Sequence, residues 1–107
     1  MATRRKFALV FAPEVVDHMD AIESKYHALI ERTADEQLLY MPEKATRNRK
    51  PLDEPGPNGA TWELRFGPQN RFRVFYEVNR TAHEVHVLAV GVKLHERLFI
   101  GTKEYTP

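Results

Sequence analysis

Between Thr61 and Val78 the chain alternates apolar and polar residues. Trp62, Leu64 and Phe66 interleave with Thr61, Glu63 and Arg65; Phe72, Val74, Tyr76 and Val78 interleave with Arg71, Arg73, Phe75 and Glu77. A period of two predicts two half-buried strands, and Gly67-Pro-Gln-Asn70 reads as the turn that joins them. One face of this hairpin then carries Arg65, Arg71 and Arg73 together with Glu63, Phe75 and Glu77. A guanidinium is planar and binds two phosphate oxygens at once, so three arginines on one strand face suggest recognition of a phosphate-bearing ligand. The same residues also fit a solvated strand face crossed by ion pairs, such as Glu63 or Glu77 with Arg73. The residues alone leave both readings open.

Other side chains could extend such a site. Phe75 falls on the arginine face, where a ring could stack a base or lie under the C-terminal tail. Lys93, His95 and Arg97 follow Gly91 in a loop; the ordinary range of a histidine suits acid–base work near neutral pH, although an exposed loop histidine does nothing. The run Lys44, Arg47, Arg49 and Lys50 fits either a solvated connector or a phosphate contact. A metal site is not expected. His18 and His27 are nine apart and fall on opposite faces of a helix, and His83 and His86 alternate along a strand. With no cysteine in the chain, disulfides, thiolate metal sites and cysteine nucleophiles are excluded.

These residues must be positioned by elements that the pattern also predicts. Lys6–Phe11 (KFALVF) reads as a short strand, and Pro13 is placed to open a helix. Positions 15, 19, 22, 26, 29, 30 and 33, then 37 to 41, apolar except for Thr33 and Gln37, have helical spacing that fits one long helix or two, with a break expected near 20–24 and an end at Pro42. Residues 43–60 form a basic connector rich in Pro and Gly, long enough to be functional or mobile. After the hairpin, Glu84–Val92 is apolar on both parities near its end, as expected of a central strand covered on both faces, and residues 97–100 read as a short last strand or a tail. The expected architecture is α+β: an N-terminal strand, a helical pair, and a three-strand antiparallel meander packed on the helices, all in one domain spanning residues 1–107.

Composition agrees with a single globular domain. The 107 residues are 42% hydrophobic and 29% charged, with a formal net charge of +1. That near-neutral sum hides an uneven distribution. Residues 1–12 carry net +3, residues 13–43 net −6, residues 44–78 net +3 and residues 79–107 net +1, a division that suggests a charged partner. No run is long enough to cross a membrane and no leader is read at the N-terminus, so a cytoplasmic location without a membrane partner is expected.

The stretch Ala60-Thr-Trp-Glu-Leu-Arg-Phe-Gly67 followed by Arg71-Phe-Arg-Val-Phe-Tyr-Glu-Val78 resembles the central hairpin of RelE/ParE-superfamily toxins of type II toxin–antitoxin modules. The order around it is also similar over residues 6–99: opening strand, helical pair, a basic segment closing on Lys50-Pro51-Leu52, then Val85–Gly91 and Lys93. The resemblance implies a microbial-RNase-like fold and an endoribonuclease that cleaves messenger RNA in the ribosome and so inhibits translation. It needs no metal or other cofactor. Activated 2′-OH attacks the adjacent phosphate, and basic side chains bind the extra charge of the transition state.

By the same resemblance, Arg73 and Arg65 correspond to basic residues at the scissile phosphate, and Lys93 to a basic residue after the last long strand. Glu63 stands where RelE has lysine, and could act as general base or only pair with Arg73. Phe99 falls near the catalytic C-terminal tyrosine of RelE, for which Tyr105 or His95 are possible substitutes. The implied catalytic set is Glu63, Arg65, Arg73 and Lys93, flanked by RNA contacts from Lys50, Arg71, Phe75, His95 and Arg97. The implied partners are a cognate antitoxin protein and mRNA on the ribosome, with operator DNA reached only through the antitoxin. Two alternatives belong to the same superfamily: a ParE-like inhibitor of DNA gyrase, and a catalytically weak member that only binds its antitoxin.

Overall fold

A computed structural model of the chain describes residues 5–107; Arg4, one of the three N-terminal basic residues, lies outside them. The elements run β1 (Ala8–Phe11), α1 (Glu14–Asp20), a single 3-10 turn (Ser24–Tyr26), α2 (His27–Leu38), β2 (Arg49–Pro51), β3 (Trp62–Phe66), β4 (Phe72–Asn79), β5 (Glu84–Leu94), β6 (Arg97–Ile100) and β7 (Lys103–Glu104). Pro13 precedes the first turn of α1, where its missing N–H costs nothing. The helical region does break where expected, at residues 21–23, and α2 stops at Leu38, short of Pro42.

The sheet is larger than a three-strand meander. Seven strands pair in the order β2-β3-β4-β5-β6-β7, and β1 joins beside β5. All pairs are antiparallel except β1 with β5. The extra strands β2 and β7 are only three and two residues long, too short to show a hydrophobic period. β5 is the centre: one edge pairs with β4 along its length, and the other is shared, residues 84–87 taking β1 and residues 91–94 taking β6.

Both helices lie on one face. Val15, Ile22, Ile30, Ala34 and Leu38 pack on Leu64, Phe66, Phe72, Val74, Tyr76, Val85, Val87 and Val90 to form the main core. The 30–34–38 spacing puts one stripe of α2 against the sheet. Trp62 stacks beside Tyr76 within this core, and the Tyr76 hydroxyl donates to the Pro42 carbonyl at 2.7 Å, which ties the connector to the sheet. The opposite face holds a smaller cluster of Ala60, Phe75 and Ala89, edged by Leu52, Leu88, Leu98 and Ile100.

The double apolar parity of β5 has a second cause besides coverage on both faces. The β4–β5 register shifts between Phe75 and Tyr76, which face Ala89 and Val87, so Leu88 is the extra residue of a bulge. The bulge moves the core-facing set from 85 and 87 to 90 and 92, and gives Ala89, Gly91 and Lys93 to the other face. At the β3–β4 turn Gly67 has φ +82°, a left-handed conformation open to glycine, and a Cβ there would run into the Phe72 ring. Among the described residues no helix is long and apolar enough to cross a membrane.

Candidate functional site

The face of the sheet away from the helices carries an ionic cluster centred on Glu63. Its position follows from the registers. Lys50 on β2 lies directly across from Glu63, and Arg65 lies directly across from Arg73. Glu63 is two residues before Arg65 on the same strand face and diagonal to Arg73. The carboxylate therefore meets three cations: Arg65 Nε at 2.7 Å, Arg73 Nη1 at 3.5 Å and Lys50 Nζ at 3.9 Å. The Glu63 and Arg73 side chains are 8% and 9% exposed, whereas those of Arg65 and Lys50 are 36% and 51% exposed. Arg73 Nε also donates to the Asn70 carbonyl at 3.0 Å.

The electrostatics of this cluster are asymmetric. Burial pushes the Arg73 guanidinium below its ordinary value, Glu63 opposes that shift, and the neighbouring charge of Arg65 adds to it. Two arginines directly opposite one another repel, and one carboxylate serves both. The local charge is one negative against three positive, so the cluster can accept an additional anion.

A cavity of about 440 Å³ opens beside the cluster, reaching Glu63 and Arg73 but not Arg65 or Lys50. Glu63, Arg73, Phe75, Lys93, Arg97 and Tyr105 line it, with Leu52 and Leu98 as apolar floor. Tyr105 is brought there because β7 pairs with β6 and the Tyr105 N–H donates to the Leu98 carbonyl at 2.8 Å. No periodicity in the last seven residues signals this; the only cue is a short β-hairpin at Gly101, whose φ is +63°. Three further carboxylates, Glu54, Glu96 and Glu104, also line the cavity, and Glu96 stands 3.8 Å from the Lys93 ammonium.

The structure thus brings together Glu63, Arg65, Arg73, Lys93, Lys50, Phe75 and Arg97 on one side of the sheet. Phe75 is only 2% exposed and is sealed within the smaller apolar cluster, so it supports the floor and offers no open ring face. Two expected residues are elsewhere. His95 and Glu96 form the β5–β6 turn with φ of +50° and +69°, and His95 is exposed outside the cavity. Arg71 precedes β4 in helical conformation, and this breaks the alternation. Its side chain lies on the helix side of the sheet with His18, Tyr26 and Phe72.

The basic connector divides in the same way. Lys50 reaches the cluster, but Arg49 is buried and donates from Nη1 to the Gln37 carbonyl and from Nε to the Lys44 carbonyl. Arg49 therefore caps the C-terminal end of α2, where unpaired carbonyls attract a cation.

The other histidines have local partners: His18 contacts the Val90 N–H, His27 the Ile22 carbonyl at 2.8 Å, His83 stacks on Phe7 and contacts the Arg5 carbonyl, and His86 contacts Glu84 at 3.0 Å. Among the described residues no three His, Asp or Glu side chains converge as metal ligands. When the chain is compared with known protein families, with curated proteins and with solved structures, no match is found in any of the three.

Proposed function

We propose that this chain is the toxin of a RelE/ParE-type toxin–antitoxin pair and that it cleaves messenger RNA presented by the ribosome. The observation that carries this reading is the opposition of Arg65 and Arg73 across the hairpin with the Glu63 carboxylate bonded to both, beside an open cavity that Glu63 and Arg73 line.

The chemistry follows from that arrangement. An RNA phosphate settles against Arg73 and Arg65. Glu63 takes the proton of the neighbouring 2′-OH, and the freed oxygen attacks phosphorus. The phosphorane gains charge relative to the bound phosphate, so two fixed guanidinium groups bind it more tightly than the ground state. The bond to the 5′-oxygen then breaks, and Tyr105 donates its hydroxyl proton to that leaving oxygen. The products are a 2′,3′-cyclic phosphate and a 5′-hydroxyl, with Glu63 protonated and Tyr105 deprotonated until solvent restores both. Lys93 and Arg97 hold the flanking backbone. No metal or other cofactor takes part. The small positive excess also explains why the ribosome must present the substrate: bulk attraction between this chain and RNA is slight.

The test is induction of the chain in a bacterium, with 5′ ends of cellular RNA mapped beside a gyrase supercoiling assay. Cleavage within translated frames that Arg73→Ala abolishes is the expected result. Intact RNA with inhibited supercoiling would replace this reading with the ParE-like one. A second reading draws on Glu54, Glu96 and Glu104, whose charge at the cavity wall repels phosphate: the face binds only a protein, the antitoxin. Intact RNA, normal supercoiling and a stable complex with the product of an adjacent small gene would establish it.

A further inference from the structure

The helix side of the sheet holds a second cavity, of about 270 Å³, between the α1–α2 turn and the ends of β4, β5 and β6. Its chemistry is unlike that of a core void. Arg71 lines it and has no side-chain hydrogen bond or ion pair among the described residues; its Nε is fully buried without a partner. A buried guanidinium N–H left unpaired costs on the order of 1–3 kcal/mol, so the fold keeps a donor here that it does not itself use.

His18 is the second polar group of this cavity. It projects from α1, is 9% exposed, and its Nδ1 accepts the Val90 N–H at 3.2 Å. That bond requires Nδ1 to be unprotonated, so the ring hydrogen is on Nε2, a donor with no partner among the described residues. The acid on the rim, Glu23, is already engaged by Lys25 at 3.6 Å. The rest of the wall is apolar and aromatic, with Tyr26, Phe72 and Phe99.

We propose that this cavity binds a small organic oxyanion, a phosphate or carboxylate on an apolar body, with the anionic group on Arg71 and His18 and the body against Tyr26, Phe72 and Phe99. The permanently cationic guanidinium of Arg71, reachable through its Nη groups because Nε is itself covered, and the His18 Nε2 donor select the oxyanion. The volume and the rings select an organic remainder, since an inorganic phosphate alone would leave most of the space unfilled. The site lies across the sheet from Glu63 and does not depend on the nuclease reading.

The experiment titrates the whole chain with phenyl phosphate, benzoate and inorganic phosphate while following the Arg71 Nε–H and the His18 ring by NMR. Saturable shifts of both groups are expected. Phenyl phosphate or benzoate, depending on whether the natural anion is phosphate or carboxylate, should bind at least about tenfold more tightly than inorganic phosphate, a difference of about 1.4 kcal/mol. Arg71→Gln should weaken binding by a similar factor or more. So should His18→Asn, in which the side-chain oxygen keeps the acceptor for Val90 but the Nε2 donor is lost. Arg97→Gln, on the other face, should leave the titration unchanged. The proposal is overturned by absence of saturation, by equal affinity for inorganic phosphate, or by binding that survives Arg71→Gln.

Discussion

Arg65 stands directly across the hairpin from Arg73, and both turn to a single carboxylate, that of Glu63. The two arginines are not equivalent, because Arg73 is buried with the carboxylate and Arg65 is one-third exposed. Glu63→Ala leaves a buried, uncompensated guanidinium and should cost about 3–5 kcal/mol in a denaturant unfolding series. Arg65→Ala should cost less than about 1 kcal/mol, since water screens that pair. Equal losses for the two variants would contradict this picture of the cluster.

Arg49 should behave as part of the scaffold. Its guanidinium bonds the last turn of α2 to the connector, and charge-assisted bonds of this kind are worth about 1.5–3 kcal/mol. Arg49→Ala should lower stability by about 2 kcal/mol and speed amide hydrogen exchange in the last turn of α2. Lys50→Ala, one residue on, should leave that exchange unchanged.

His18 sets a pH dependence whose sign is fixed. Burial is the main cause that depresses it below the ordinary 6.5, opposed by Glu14 and Asp17. The unfolded chain then binds a proton that the folded chain does not. The stability that His18 contributes is present above about pH 6.5 and is lost as the pH falls toward the depressed folded value. Unfolding free energy measured from pH 7.5 to pH 5 should therefore fall more steeply in the wild type than in His18→Asn. A wild-type curve with the shallower slope would reverse the assignment.

Gly91 faces Ile100 across the β5–β6 pair. A Cβ there would lie 2.8 Å from the Phe99 carbonyl oxygen, which is backbone and cannot swing aside. Gly91→Ala should separate β6 from β5 and destabilise by about 1–3 kcal/mol. Because β6 carries Leu98, whose carbonyl holds Tyr105, the same change should loosen the C-terminal wall of the cavity; limited proteolysis of the tail reports it.

Tyr105 gives the sharpest test of the proposed reaction. Tyr105→Phe keeps the ring and removes only the hydroxyl. RNA cleavage should fall by about 10²–10⁴ if that hydroxyl serves as the acid, while stability stays within about 0.5 kcal/mol. Full cleavage by the variant would remove Tyr105 from the mechanism and leave the arginines in place.

The strong periods were legible in the sequence. The strands read at 61–67 and 71–78 form β3 (Trp62–Phe66) and β4 (Phe72–Asn79), and with the central position of β5 they follow from spacing, because each buries a regular stripe; the helix break did not, since the apolar spacing fits one helix or two. Position 71 was not legible: Gln69 and Asn70 have φ of +58° and +52°, and the chain enters β4 only after Arg71, so parity counted through the turn puts that side chain on the wrong face. The bulge at Leu88 was also hidden, since an apolar run looks the same with or without an extra residue. Glu63 was recognised as a partner of Arg73, but its contacts with Arg65 and Lys50 depend on three strands in register, one of them β2, whose three residues have no readable period. Tyr105 was a candidate from the resemblance, but its place on the cavity wall depends on the β6–β7 pairing, which no period signals.

The shared edge of β5 has a bearing on how the chain acquires its structure. Ala8 pairs with Glu84 across most of the sequence, and β6 can dock only once residues 91–94 exist. During synthesis the first strand therefore emerges long before β5, its partner among the described residues, and the loop it must close spans residues 12–83. A ladder of that span is slow to form. Chains arrested before about residue 94 lack the strand that seats both ends, so the cluster around Glu63, carried by β2, β3 and β4, can form before the cavity wall of Lys93, Arg97 and Tyr105 exists.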